Sequence, residues 1–572
     1  MMNTNGLLVL VWTVLFLMAF YAITNGFFVG GLGNDYSYFL PWLLAGYFWF
    51  LENGLSIPWF SPALCAGIPH FANPQSLYYS VPQLVSLVVD PRQSLIITAW
   101  IFGVTGFAGS ALLASLMTRS FMIMLFAGFI FGLNGMALSR IYEGHLTFHA
   151  FMLLPLICYL LLCPGRSFNA FMQAVLAGAL MAYFIHAGAG VIVIPVAACI
   201  MLVLVAIGRG IDCYYKLAIA AGSALTLSLG KLVAVAHFMA RFPRDLYPMP
   251  GTNTLLDSLY LSLRSLVWPL TDAELDTLIV NTAFPINQIE VNYALGIVPM
   301  LIGLAWLILA RSPVKAMVPT WRWVPVLAIL SLPVLLNTFN PSWNAILSDL
   351  PYYSQASTLF RWNLIYILPV ILLSVRALDQ INKPWLAPVA ILILLVSVVT
   401  YLPSGSRRAD ATTIVNAYTS VRAGEEVPLI RTLEESLVDG VRVPLGNAGD
   451  SLTRGASQIV CNEPLFGYRL ESFRFDGVFK GQVFHQREGA FNFYRPECFL
   501  FPEQNQCKEG DRFPAGKATA LVRFTSYRSY DFELPVVQRI SNWISIAGFS
   551  ALLMLFFTWG ALGVRRNLST RE

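Results

Sequence analysis

The sequence predicts a polytopic α-helical membrane protein with a small extracytoplasmic α/β domain before its last helix. Three observations predict it. Of 572 residues, 57% are hydrophobic and only 12% charged, with a mean hydropathy of +0.64; soluble domains carry about 25% charged residues. The apolar residues fall into runs long enough to form membrane helices. A single polar stretch, 403–537, breaks the series before a last apolar run. The net charge of +5 needs no nucleic acid as a partner.

The runs suggest twelve helices near 7–28, 94–118, 121–140, 146–163, 168–187, 189–207, 216–236, 291–310, 323–337, 360–377, 385–402 and 539–563. The first has no basic segment before it and no small-residue cleavage site after it, so it reads as a retained helix rather than a signal peptide. Orientation follows from where short loops keep Lys and Arg. With the N-terminus cytoplasmic, the inner connections hold Arg119; Arg166; Arg209 and Lys216; Arg311, Lys315 and Arg322; Arg376 and Lys383; and the tail adds Arg565, Arg566 and Arg571. Both termini are then cytoplasmic. The expected division is a membrane module over 1–402 with a long first outer loop (29–93), an extracytoplasmic domain over 403–537, and a last helix with its tail over 538–572.

The first outer loop has few charges and many rings: Trp42, Tyr47, Phe48, Trp49, Trp59, Phe60, Phe71, Tyr78 and Tyr79. Such a loop is not freely solvated, and the lipid bilayer's headgroups, where amphipathic rings are stable, are the expected cover. In 403–537, charged pairs such as Glu425-Glu426 and Glu434-Glu435 sit beside short alternating runs, Gly440–Pro444 and Ala518–Phe524. Of eight cysteines, Cys65, Cys158, Cys163, Cys199 and Cys213 lie in or near apolar segments and read as buried small hydrophobes. Cys498 and Cys507 bracket a short polar loop and should form a disulfide outside the cytoplasm. Cys461 is the odd one out, and three pairings remain open. There is no zinc-ligand spacing, P-loop, nucleophile elbow or HExxH.

Candidate chemistry starts at Asp35, in Gly33-Asn34-Asp35-Tyr36, just beyond the first run. It reads either as a general base or sugar-hydroxyl anchor, or as the N-cap of a helix over 36–50. Next come Arg140, Glu143, Gly144, His145 and His149. Glu143 supplies a second carboxylate and His145 a substrate contact, or else Arg140 and Glu143 pair and the histidines satisfy polar groups in the bundle. A divalent metal has some room here but is not indicated, because the ligand set is thin; no other cofactor follows from the sequence. Lys231, near the end of a run, with His237, Arg241 and Arg244, offers cations for a lipid phosphate, or Lys231 snorkels to the interface. Arg361 is a second phosphate candidate, since its planar fork suits phosphate. Glu290 and Asn292 orient a partner or cap a helix.

Four stretches together resemble the GT-C superfamily of membrane glycosyltransferases, and more specifically its YfhO-like bacterial branch. They are Gly33-Asn34-Asp35-Tyr36 through Pro41 to Pro58-Trp59-Phe60, Gly67-Ile68-Pro69 and Asn73-Pro74-Gln75; Asn134-Gly135-Met136 to Glu143-Gly144-His145; Glu290–Gly296; and Leu359-Phe360-Arg361-Trp362-Asn363. The resemblance implies a GT-C-like fold whose first outer loop carries two interfacial helices. It also implies a catalytic carboxylate after the first span, Asp35 here, and a polyprenyl-phosphate-linked sugar donor used at the outer face of the bacterial inner membrane, with inversion. Many members have an acidic pair in the first loop; Asn34 stands at one of those positions, which turns attention to Glu143. The acceptor is then a cell-envelope glycan, lipid or protein. A carrier of a lipid-linked glycan is the alternative, but a carrier calls for ionisable or broken-helix sites at mid-membrane. An inactive envelope scaffold is the third reading.

Overall fold

The computed structural model describes residues 4–165, 167–208, 210–242, 249–280, 286–309, 320–348, 350, 358–383, 385–402, 409–438, 441–443, 448–460 and 477–569. An apolar helix occupies each of the twelve expected runs. Eight are long and apolar enough to cross a membrane: Leu10–Phe28, Pro91–Ser115, Phe121–Glu143, Phe168–His186, Gly190–Ile207, Asp212–Arg241, Phe360–Ile381 and Val536–Trp559. Leu146–Leu162, Ile297–Trp306, Trp323–Leu336 and Leu386–Tyr401 are shorter. The chain is a multi-pass, mostly helical membrane protein.

Local sequence sets several boundaries. Asp90 accepts from the Gln93 amide and Pro91 opens the helix Pro91–Ser115, the usual capping arrangement. The third run is interrupted after Gly132. Asn134 caps a new helix, Gly135–Glu143, by accepting from the Ala137 amide. That break gives Arg140 and Glu143 a short helix of their own at the end of the span. The fourth run starts as a 3-10 helix, Leu146–Leu153, before the α-helix Leu154–Leu162.

The first long loop, 29–93, departs from expectation. Its helix, Tyr36–Asn53, is buried on nearly every side, and Trp42, Tyr47, Phe48, Trp49, Trp59, Phe60, Phe71 and Tyr78 are all buried. Protein covers these rings, where headgroups were expected. Much of that cover comes from beyond residue 408. Tyr47 meets Tyr418 at 4.5 Å, Phe48 meets Tyr527 at 5.4 Å, and Trp59 meets Phe501 at 5.7 Å. Asn53 donates to the Tyr527 carbonyl, and Glu52 pairs with Arg528 at 2.7 Å. Leu32 and Ala409 exchange backbone hydrogen bonds, three residues before Asp35. One continuous core runs from the membrane helices through this loop into the C-terminal part.

The C-terminal part carries small sheets. Thr432–Glu434 lies between Ala456–Gln458, its parallel neighbour in the register Leu433–Ser457, and Gly481–Gln482, its antiparallel one. Gln486–Arg487, Ala490–Tyr494 and Arg512–Pro514 form a second, antiparallel sheet, and Ser436–Val438 pairs with Val441–Val443. The alternating run at Ala518 is a helix, Ala518–Thr525. Leu521, Phe524 and Thr525 share its buried side, the i, i+3, i+4 spacing that outweighs a short alternation. Cys498 and Cys507 are disulfide-bonded, with Cα atoms 5.8 Å apart. Cys65 is also disulfide-bonded, which corrects its reading as a buried thiol; a cysteine among loop rings satisfies the same apolar pattern in either state. Cys158, Cys163, Cys199 and Cys213 are free and buried, and Cys461 lies outside the described residues.

Candidate functional site

Two glycines bring the first loop onto the helix Gly135–Glu143. A Cβ on Gly33 would lie 2.2 Å from the Tyr142 carbonyl oxygen, and one on Gly144, whose φ is +97°, would lie 2.6 Å from the Tyr36 amide nitrogen. With no side chain at either place, the Asp35 amide donates to the Glu143 carbonyl at 3.0 Å. The Tyr36 hydroxyl donates to the Ile141 carbonyl at 2.8 Å.

Asp35 occupies the N-cap position of Tyr36–Asn53, but its side chain makes no capping hydrogen bond. Instead Oδ2 lies 2.8 Å from His145 Nε2, and the carboxylate stays 45% exposed. The other imidazole nitrogen, Nδ1, is 2.6 Å from Arg140 Nη1. A guanidinium only donates, so Nδ1 accepts and the ring proton sits on Nε2, where it donates to Asp35. Arg140 thereby assigns the tautomer, and His145 orients Asp35. Asn34 donates from Nδ2 to Glu143 Oε1 at 3.3 Å, so the two carboxylates lie at one open end.

Arg140 is only 3% exposed and pairs with Glu290 at 3.1 Å; it also donates to the Glu290 carbonyl. The pairing of Arg140 with Glu143 weighed above is not what forms. Glu290 is shared: Arg361 reaches it at 3.3 Å. Both guanidinium carbons lie over the Phe148 ring, Arg140 at 4.7 Å and Arg361 at 5.3 Å, a stabilising arrangement. Burial pushes the Glu290 carboxyl up, but Arg140, then Arg361 and His145, hold it well below the usual carboxylate range. The result is a continuous chain, Asp35–His145–Arg140–Glu290–Arg361, half open at the Asp35 end. Behind it an apolar cavity is lined by Tyr36, Phe102, Phe148, His149 and Met152 among others.

The remaining predicted residues lie elsewhere. Lys231 is 2% exposed and donates to the carbonyls of Phe71 and Asn73, its ammonium 5.0 Å from the Phe71 ring. His237 meets Phe501 edge to face at 5.4 Å, and Arg241 reaches Glu503 at 3.5 Å. Arg244 lies outside the described residues. Asn292 is buried between the Tyr401 carbonyl and the Ala294 amide. His149 turns away from His145 to the Leu146 carbonyl and the Tyr183 hydroxyl; the 3-10 turn, not an α-helix, separates the pair. Among the described residues, no group of three His, Cys, Asp or Glu side chains is arranged to hold a metal ion.

Sequence reasoning undervalued Arg140 and missed Phe148. A signal for Arg140 was present: an arginine inside an apolar run must be paired, and Glu143 was simply the wrong partner. Nothing local marks Phe148, which matters only because two distant arginines meet over it.

No family model matches the chain, and no curated protein matches it. Among solved structures, the chain is similar to arabinofuranosyltransferase AftD from Mycobacteria, with a TM-score of 0.40 and 14% identity, over 70% of this chain and 30% of that one. The chain thus spans less than a third of that protein's length.

Proposed function

We propose that this protein transfers a sugar from a polyprenyl-phosphate-linked donor to a cell-envelope acceptor at the outer membrane face, with inversion and with Asp35 as general base. The donor class comes from the resemblance of the four stretches to GT-C enzymes. The observation that carries the base is the Asp35–His145 pair: a half-exposed carboxylate at a helix start that leaves the helix uncapped and is held by an imidazole of fixed tautomer.

The step follows from the residues. The acceptor hydroxyl loses its proton to Asp35 as its oxygen attacks the anomeric carbon. The bond from that carbon to the phosphate oxygen breaks, and the electron pair leaves with the polyprenyl phosphate. Glu143, tied to Asn34, assists at the acceptor side. Arg361 meets the departing phosphate charge, as preorganised cations do. His145 is a positioning residue. Lys231, His237, Arg241 and Asn292 hold structure in this reading. The setting is the bacterial inner membrane, with both termini cytoplasmic and 403–537 outside. A thiol reagent applied from outside should label Asp450→Cys and not Leu568→Cys; labelling at 568 would overturn that orientation.

Asp35→Asn tests the base. It is nearly isosteric and keeps an oxygen for His145. A folded, inserted variant should lose transfer by about 10²–10⁴-fold, the usual worth of general base catalysis. Near-normal transfer would refute the assignment and move attention to Glu143. Arg361→Ala should raise the donor KM or slow departure of the phosphate.

A further inference from the structure

The helix Leu255–Val267 is amphipathic in the reverse sense for a surface helix of a soluble protein. It buries Ser258, Ser262 and Ser265 with Leu261 and Leu266. It exposes Leu256 (74%) and Leu263 (55%), together with Leu255, Leu259 and Tyr260. The buried serines are spent on the protein: Ser258 donates to the Val334 carbonyl, Ser262 to Asn363 Oδ1 and Ser265 to the Ser262 carbonyl. Water would leave the leucines unprovided for, and a contiguous apolar face of this kind marks an interaction surface.

The backbone fixes where this face lies. The Tyr293 and Leu295 amides donate to the carbonyls of Ser265 and Leu266, just before the apolar helix Ile297–Leu309 begins. Val334, which accepts from Ser258, is near the end of Trp323–Leu336. Asn363 is near the start of the span Phe360–Ile381. The helix therefore lies where three apolar helices end. Those neighbours continue its exposed surface: Val324, Leu327 and Leu335 on one, Leu301, Leu304 and Ile308 on another, are all exposed. At 13 residues it is about 20 Å long, too short to cross a bilayer. Tyr260 and Trp268, both exposed, are residue types that anchor at a membrane interface.

We infer that Leu255–Val267 is a membrane-surface helix, lying in the plane of the bilayer with its leucines among the acyl chains. Its occupant is lipid, because the exposed face is continuous with the exposed apolar faces of Trp323–Leu336 and Ile297–Leu309, and a multi-pass protein meets acyl chains there. This inference is independent of the transfer reaction. It has a consequence for it: through Ser262 and Asn363, the helix fixes the turn carrying Arg361 at the level of the lipid surface.

The test is depth measurement on the full chain in nanodiscs of phosphatidylethanolamine and phosphatidylglycerol, without reductant so that the disulfides persist. A nitroxide is attached to Leu256→Cys, to Leu263→Cys and, as a control, to Asp276→Cys on the following helix. At 256 and 263, collisions with oxygen should exceed those with a water-soluble nickel chelate, and the ratio should reverse at 276. Nickel access at 256 and 263 equal to that at 276 would overturn the inference. Shielding from both reagents would overturn it too, since that is the signature of a protein partner.

Discussion

Lys231 and Arg361 are both cations near the ends of apolar helices, and their surroundings differ in kind. Lys231 is 2% exposed, and its ammonium is given to main-chain carbonyls of the first loop. Burial and that lysine push the neighbouring His70 imidazole down to about 3, so it stays neutral. Arg361 keeps 14% of its side chain exposed and faces the carboxylate of Glu290. A cation satisfied by fixed carbonyls is a strut for the loop they belong to. A cation that faces another side-chain ion, at the edge of an open cluster, can exchange that ion for a substrate anion. Charge alone does not separate the two; the chemistry of the partner does.

Three substitutions sharpen or break that contrast. Glu290→Gln should cost most. It removes the shared carboxylate and leaves Arg140, 3% exposed, without a counter-ion; breaking a buried pair from one side costs about 3–5 kcal/mol. Thermal unfolding in detergent reads it. Because Glu290 is held below its ordinary value of 4.5, its contribution is fully present above that value and is lost as pH falls through the lower folded pKa. The gap between wild type and variant should therefore close in acid. A gap that widened there would show that Glu290 is not held ionised. Lys231→Met should cost less, about 1–3 kcal/mol, from loop carbonyls left without a donor; limited proteolysis within 66–80 would report it. Arg241→Ala should cost least. Its pair with Glu503 is 37% and 78% exposed, and such pairs are worth at most about 1 kcal/mol. A large loss of transfer from Arg241→Ala would return that arginine to the substrate site.

Much of the membrane module is legible in the sequence, because helix-length apolar runs are a one-dimensional signal. Asp35, Glu143, His145, Glu290 and Arg361 are legible as candidates, since each sits near the end of an apolar run. What is not legible is which ion meets which. Arg140 chose Glu290, 150 residues away, over Glu143 one helical turn away, and the interrupted third helix decides that. The cover of the first loop was also hidden. Phe48, Trp59 and Phe60 suit an interface or a core equally well, and Tyr527, Phe501 and Phe532 from the far end of the chain settle them as core. Leu255–Val267 is the converse case: its serines are inside and most of its leucines are exposed.

The most direct test is to measure Asp35→Asn and Lys231→Met side by side, for melting temperature and for transfer per folded molecule. Asp35→Asn should melt as the wild type does and lose transfer by about 10²–10⁴-fold. Lys231→Met should melt lower and keep most of its transfer per folded molecule. The account is contradicted if Asp35→Asn transfers normally, or if Lys231→Met melts normally and has lost transfer.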